Sequence, residues 1–198
     1  TQALLDLFTI YSKLGRIDGL SVVIGGDLRN GRTARSLAYL LSKFNDVRIT
    51  FVAPGYFRIG GDIKNYLKKH EVPFEETESL IDAFPRAKVV YWTRVQTERL
   101  PKRERRRLGS NPYVIGCEQM ALLKSDAILL HPFPRVEEIK EEVDSDPRAV
   151  YFEQMSRVLT RHARALDSGE IQLGNARQRV EPTVLNSELM VDPDGSLH

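Results

Sequence analysis

The chain has little cysteine, little net charge and no long apolar run, and each shortage excludes something. With one cysteine, Cys117, in 198 residues, no internal disulfide can form, so a disulfide-stapled secreted domain is excluded and a reducing cytoplasm is the expected location. The formal net charge of +2 gives bulk electrostatics no reason to favour nucleic acid or a membrane surface. No apolar stretch approaches the roughly 20 residues a membrane helix needs. The chain opens Thr-Gln-Ala-Leu, without methionine or a basic leader, so we expect it to be a piece of something longer.

What is present is an ordinary soluble mixture, 41% apolar and 28% charged, long enough for one well-buried α/β domain with or without a tail. Leu4, Leu5, Phe8 and Tyr11 recur at helical spacing over residues 1–14, and Gly15 is a plausible stop. Leu20–Ile24 is a short apolar run suited to a buried parallel strand, followed by a helical pattern from about Arg32 to Lys43. Further strands are expected over Val47–Ala53, Lys88–Trp92 and Asp126–Leu130. A helix is expected over Asp62–His70, a short extended piece at Pro73-Phe74, and a last helix from near Arg148. Strands alternating with helices predict an α/β fold: a Rossmann-like, three-layer parallel sheet with helices on both faces. Residues 167–198 carry six acids against Arg177 and Arg179, and Pro182, Pro193 and Gly195 break any period, so we read them as an irregular acidic tail after a domain spanning 1–166.

Ligands of such sheets bind beyond the carboxyl ends of the strands. Three segments lie there, and each contains arginine. In Gly25-Gly-Asp-Leu-Arg-Asn-Gly-Arg32, glycines permit a sharp turn and the following helix aims its N–H groups at the same place. A cation in that first turn opposes the helix dipole, which suits Arg32 to a ligand better than to the helix. In Thr93-Arg94-Val95-Gln96-Thr97-Glu98-Arg99, Arg94 and Gln96 are two apart beyond a strand and can project together. A guanidinium there can grip a carboxylate through two parallel hydrogen bonds. In His131-Pro132-Phe133-Pro134-Arg135, two prolines stiffen the backbone and remove donors, so carbonyl oxygens can face an ammonium or amide. His131 suits a structural role better than that of a general base, and Arg135 fits either a ligand or a structural pair. Each segment taken alone is equally a plain surface loop. Together they make a pocket suited to a small dicarboxylate bearing an amine.

These residues also carry a family resemblance. Gly26–Thr33, Thr93–Arg99 and His131–Ile139 resemble motifs of the aspartate carbamoyltransferase catalytic chain, in order and with compatible gaps. Thr1–Ile10 resembles the segment after that family's His-Pro dipeptide, and Asp144–Phe152 the run into its last helix. Ornithine enzymes resemble it less: they carry cysteine where this chain has Pro132, and a Ser-Met-Gly loop absent here.

The resemblance implies transfer of a carbamoyl group from carbamoyl phosphate to the amine of L-aspartate, a step of pyrimidine synthesis, with no metal or organic cofactor. It implies that Arg32 holds the substrate α-carboxylate and Arg94 the β-carboxylate, with Gln96 beside it. The carbonyls of Pro132 and Phe133 would face the carbamoyl group and the amine, Gln2 would reach the carbamoyl group, and Arg99 would order the loop around Arg94. It also implies that the carbamoyl-phosphate domain, which builds a homotrimer in the full enzyme, is absent here. The chain alone would then be inactive, and carbamoyl phosphate a ligand only with that domain. Phe133 replaces the family's usual leucine, and Ser156–Leu166 is more polar than its last helix. The Phe133 change is mild if only its carbonyl is used; the altered last helix and the acidic tail suit an alternative, a non-catalytic binding or regulatory module. The basic run Arg99–Arg107, six cations in nine residues, reads as a solvated helix start; a polyanion contact is the sharper alternative.

Overall fold

Five strands pair in parallel: β1 (Ser21–Gly25), β2 (Arg48–Val52), β3 (Phe74–Thr77), β4 (Val89–Trp92) and β5 (Ile128–Leu130), in the order β3-β2-β1-β4-β5. The computed structural model describes residues 2–95, 100, 102, 103 and 113–154. Val22 to Ile24, all of β4 and all of β5 are buried, as strands covered on both faces must be. The connecting helices are α1 (Gln2–Leu14), α2 (Arg32–Leu41), α3 (Gly61–Lys69), α4 (Leu80–Ala83) and α5 (Cys117–Ala121). Right-handed crossovers send α2 and α3 to one face of the sheet and α4 and α5 to the other. In keeping with this, α2 packs against both α1 and α3. The predicted Rossmann-like α/β architecture is the one observed.

Burial follows the patterns that form the elements. In α1 the inward face presents Ala3, Leu7 and Ile10, and a buried acid, Asp6, lies on that same face. In α2 it is Ala34, Leu37, Ala38 and Leu41. Along β4 the side chains alternate. Trp92 packs edge-on to Phe84, with ring centroids 5.7 Å apart, and its Nε1 donates to the Tyr113 carbonyl at 3.1 Å. Tyr91 turns to the opposite face, beside Asp6 of α1 and Thr33 of α2. Each fully buried side chain of this size contributes roughly 1.5–3 kcal/mol by leaving water.

Three features extend the sequence reading. The extended piece at Pro73-Phe74 is the start of a full edge strand, β3. The short helices α4 and α5 were not anticipated, nor were the 3₁₀ turns Phe84–Arg86 and Glu141–Ser145. The last helix is under way at Tyr151 rather than Arg148; residues Tyr151 to Gln154 are helical.

Candidate functional site

The sheet order reverses direction at β1. The chain leaves β1 for β2 on one side, and only later returns to add β4 on the other. The helices leaving β1 and β4 therefore diverge to opposite faces and open a crevice at the carboxyl edge, where ligands of such sheets bind. Gly26 and Thr93 face each other across it.

The two loops meet closely. Thr93 N and Thr93 Oγ1 both donate to the Gly25 carbonyl at 2.9 Å. Gly26 has φ +105°, and a Cβ there would lie 2.0 Å from the Thr93 carbonyl oxygen. Only glycine permits both the conformation and the approach. Beyond Gly26, the buried carboxylate of Asp27 folds the loop on itself. It accepts from Asn30 N at 3.0 Å and from Asn30 Nδ2, and the Asp27 carbonyl accepts from Gly31 N at 3.1 Å. That turn delivers Arg32 as the first residue of α2, exposed, and forming no ion pair among the described residues. Arg94 follows Thr93 directly and is exposed at the same edge.

His131 follows β5, the next strand along. Pro132 and Phe133 are half-buried, the Phe133–Pro134 peptide is cis, and among the described residues neither carbonyl oxygen accepts a hydrogen bond. The flanking residues hold this turn in place. His131 is 2% exposed, with Nε2 2.8 Å from Glu138 Oε1. Burial opposes the charge on Glu138, but the His131 contact and the backbone N–H groups of Glu138 itself and Val136 outweigh it. Its carboxyl is left below the ordinary range. Arg135 forms a two-pronged pair with Asp144 and reaches Tyr151 Oη at 3.4 Å; its guanidinium in turn holds the Asp144 carboxyl low. His131 and Arg135 thus both pair with acids of the same segment, the arrangement expected of structural roles.

Gln2, at the start of α1, donates from Nε2 to Asp6 Oδ1 at 2.8 Å. Gln154 Nε2 donates to the same oxygen, and Gln154 Oε1 accepts from His131 N at 3.2 Å. Burial raises the Asp6 carboxyl from 3.8 to about 6, against the lowering effect of the bonds from Gln2 and Gln154 and of the neighbouring Tyr91 hydroxyl. Asp6 and Gln154 were not among the sequence candidates. Asp6 had a signal, an acid on the apolar stripe of Ala3, Leu7 and Ile10; Gln154 had none. Of the predicted site residues, Arg32, Arg94, Pro132 and Phe133 follow three adjacent strands, and Gln2 is tied to the third strand end through Asp6 and Gln154. Gln96 and Arg99 lie outside the described residues. Of the basic run, the described members Lys102 and Arg103 are exposed. Among the described residues, no cluster of three or more His, Cys, Asp or Glu could hold a metal ion, and no helix is long and apolar enough to cross a membrane.

Residues 18–164 match the family described as aspartate/ornithine carbamoyltransferase, Asp/Orn binding domain. The chain belongs to that family. Aspartate carbamoyltransferase of Arabidopsis thaliana is 46% identical over 155 residues, covering 78% of this chain and 40% of that protein. Among solved structures, the catalytic subunit of M. jannaschii aspartate transcarbamoylase superposes with a TM-score of 0.74 at 38% identity, covering 86% of this chain and 56% of that one. The Trypanosoma cruzi aspartate transcarbamoylase, solved with carbamoyl aspartate and phosphate, superposes with a TM-score of 0.70 at 34% identity, covering 80% of this chain and 50% of that one. The chain thus spans about half the length of the carbamoyltransferases it matches.

Proposed function

We propose that this chain is the aspartate-binding half of an aspartate carbamoyltransferase. The reading rests on one observation above others: two exposed arginines and two open carbonyl oxygens follow three neighbouring strands, β1, β4 and β5, at the switch point of the sheet. Arg32 and Arg94 supply positive charge for two carboxylates, which L-aspartate has. The Pro132 and Phe133 carbonyls supply acceptors for an amine and a carbamoyl N–H group, which carbamoyl aspartate has. Gln96 and Arg99 join this set on the family resemblance.

The chemistry of such a site is orientation and charge stabilisation. The amine of aspartate attacks the carbamoyl carbon, phosphate leaves, and the amine loses a proton. Arg32 and Arg94 fix the dicarboxylate so that the amine is presented at one angle. Carbonyl acceptors hold the amine and carbamoyl N–H groups where positive charge develops on nitrogen. Phosphate recognition belongs to a carbamoyl-phosphate domain outside these residues, and the assembled enzyme is proposed to be a homotrimer. The lone Cys117 suits a reducing compartment such as the cytoplasm; the Arabidopsis relative is named as chloroplastic.

The test is carbamoyl aspartate formation by the purified 198-residue chain, alone and with a carbamoyl-phosphate domain supplied as a separate polypeptide. No turnover is expected alone, because each missing transition-state donor costs roughly a hundredfold or more. Turnover is expected to appear when the domain is supplied. Activity of the chain alone would contradict the half-site reading; no activity in the mixture, with both parts folded, would count against the enzyme reading.

A further inference from the structure

Three elements, α1, β4 and the helical segment Tyr151 to Gln154, meet at one carboxylate beneath the switch point. Asp6 is fully buried on α1; Gln2 and Gln154 both donate to its Oδ1, and Tyr91 of β4 lies beside it. Gln154, itself 2% exposed, spends its oxygen on the backbone N–H of His131. An ionised carboxylate only accepts hydrogen bonds. Both glutamine amides must therefore turn their NH2 groups towards Asp6 and their oxygens away from it. For Gln154 the outward oxygen captures His131, the residue before Pro132. For Gln2 the outward oxygen is left as an acceptor. With the amide reversed, an NH2 group would stand in its place and repel a ligand N–H.

We propose that Asp6 is a positioning residue for the carbamoyl group: through Gln2 it fixes one amide oxygen, and through Gln154 it fixes the backbone that carries the Pro132 carbonyl. Two acceptors far apart in the chain, on Gln2 and Pro132, are thereby held in register for one N–H2 donor. The proposal rests on the functional reading above, and it adds a specific division of labour: Arg32 and Arg94 recognise the carboxylates without help from Asp6. The nearby unsatisfied atoms fit this account. Among the described residues, Asp6 Oδ2 and Tyr91 Oη are both buried without a hydrogen-bond partner, so this carboxylate sits where packing alone would favour an apolar side chain.

The experiment uses the full chain and two readouts. In 1H–15N spectra without ligand, Asp6→Leu is expected to move the Gln2 side-chain amide and the His131 backbone amide together, and to speed exchange of the His131 N–H. Asp6→Asn, which keeps one oxygen able to accept from both glutamines, is expected to restore both signals. In titrations, Asp6→Leu is expected to weaken N-carbamoyl-L-aspartate roughly tenfold, the effect of one lost oriented hydrogen bond, and succinate by less than about twofold. If Asp6→Leu fails to fold, Gln154→Leu keeps the Asp6–Gln2 bond and is expected to move His131 but not Gln2. An unmoved His131 signal in either leucine variant, or an unmoved Gln2 signal in Asp6→Leu, overturns the proposal. So does an equal loss for both ligands, which is what a merely structural role would produce. A parent chain that binds neither ligand would remove the aspartate-site reading instead; the unliganded spectra then still decide, in either direction, whether Asp6 sets the two groups.

Discussion

Arg94 is one residue beyond Thr93, whose N and Oγ1 are both bonded to the Gly25 carbonyl. Its Cα is therefore anchored to β1 as well as β4. A charge-assisted hydrogen bond to a carboxylate contributes about 1.5–3 kcal/mol. Arg94→Ala is expected to weaken succinate binding to this chain by roughly one to two orders of magnitude, measured by NMR titration. Arg94→Lys should recover little, because an ammonium lacks the planar fork. Unchanged affinity in Arg94→Ala would remove Arg94 as the carboxylate anchor. Asp6 gives a second prediction at this scale. Its folded-state value, about 6, lies above the ordinary 3.8, so between these the folded chain binds more protons than the unfolded one. Stability from this group is complete below about pH 4 and is lost as pH rises through 6, by at most roughly 3 kcal/mol. Urea unfolding across pH 4–7 should show the parent losing stability relative to Asp6→Asn over that window and running parallel above it. Parallel curves throughout would show that Asp6 titrates as an ordinary carboxylate.

At the scale of elements, the site depends on loops that cannot be repacked. Gly26 holds φ +105° with the Thr93 carbonyl against it. An alanine there needs both a strained backbone and movement of the β4 loop that bears Arg94. Gly26→Ala is expected to cost at least about 2 kcal/mol in urea unfolding and to weaken succinate as well. Gly61→Ala, in open space at the start of α3, is the control, expected to be neutral or to stabilise by up to about 1 kcal/mol. Equal stability of the two variants would contradict the close approach. Legibility varied between elements for physical reasons. Buried β1, β4 and β5 are apolar runs and were read almost residue for residue. The edge strand β3 is Phe74-Glu-Glu-Thr77, which lacks both apolar run and alternation. It is held by partners a local pattern cannot reveal: Glu75 accepts from Thr50 Oγ1 at 3.0 Å and pairs with Arg86, and Glu76 pairs with Lys64 at 3.1 Å. The helices α4 and α5, of 4 and 5 residues, are too short to show a period.

At the scale of the whole molecule, the sheet, its buried strands and the crevice all lie within residues 2–154, and the family match ends at residue 164. We propose that the acidic stretch from Asp167 is dispensable for folding. A chain ending at Leu166 is expected to melt within about 2 °C of the parent, since changes outside the core seldom exceed 0.5 kcal/mol or so. A large drop would show that the tail packs on the domain. Read alone, the sequence determined the α/β class, because apolar runs and helical periods depend on near neighbours. It also determined the candidate arginines and carbonyls, because strand ends can be located without knowing which strands pair. Strand order is different in kind. That β4 lies beside β1, so that Gly26 meets Thr93, is a choice among pairings separated by some 70 residues of chain, and only packing makes it. The same holds for Asp6 and Gln154, 148 positions apart and joined by one buried bond. A carboxylate on an apolar stripe is an anomaly in sequence; its partners, and hence its use, exist only once the helices are stacked on the sheet.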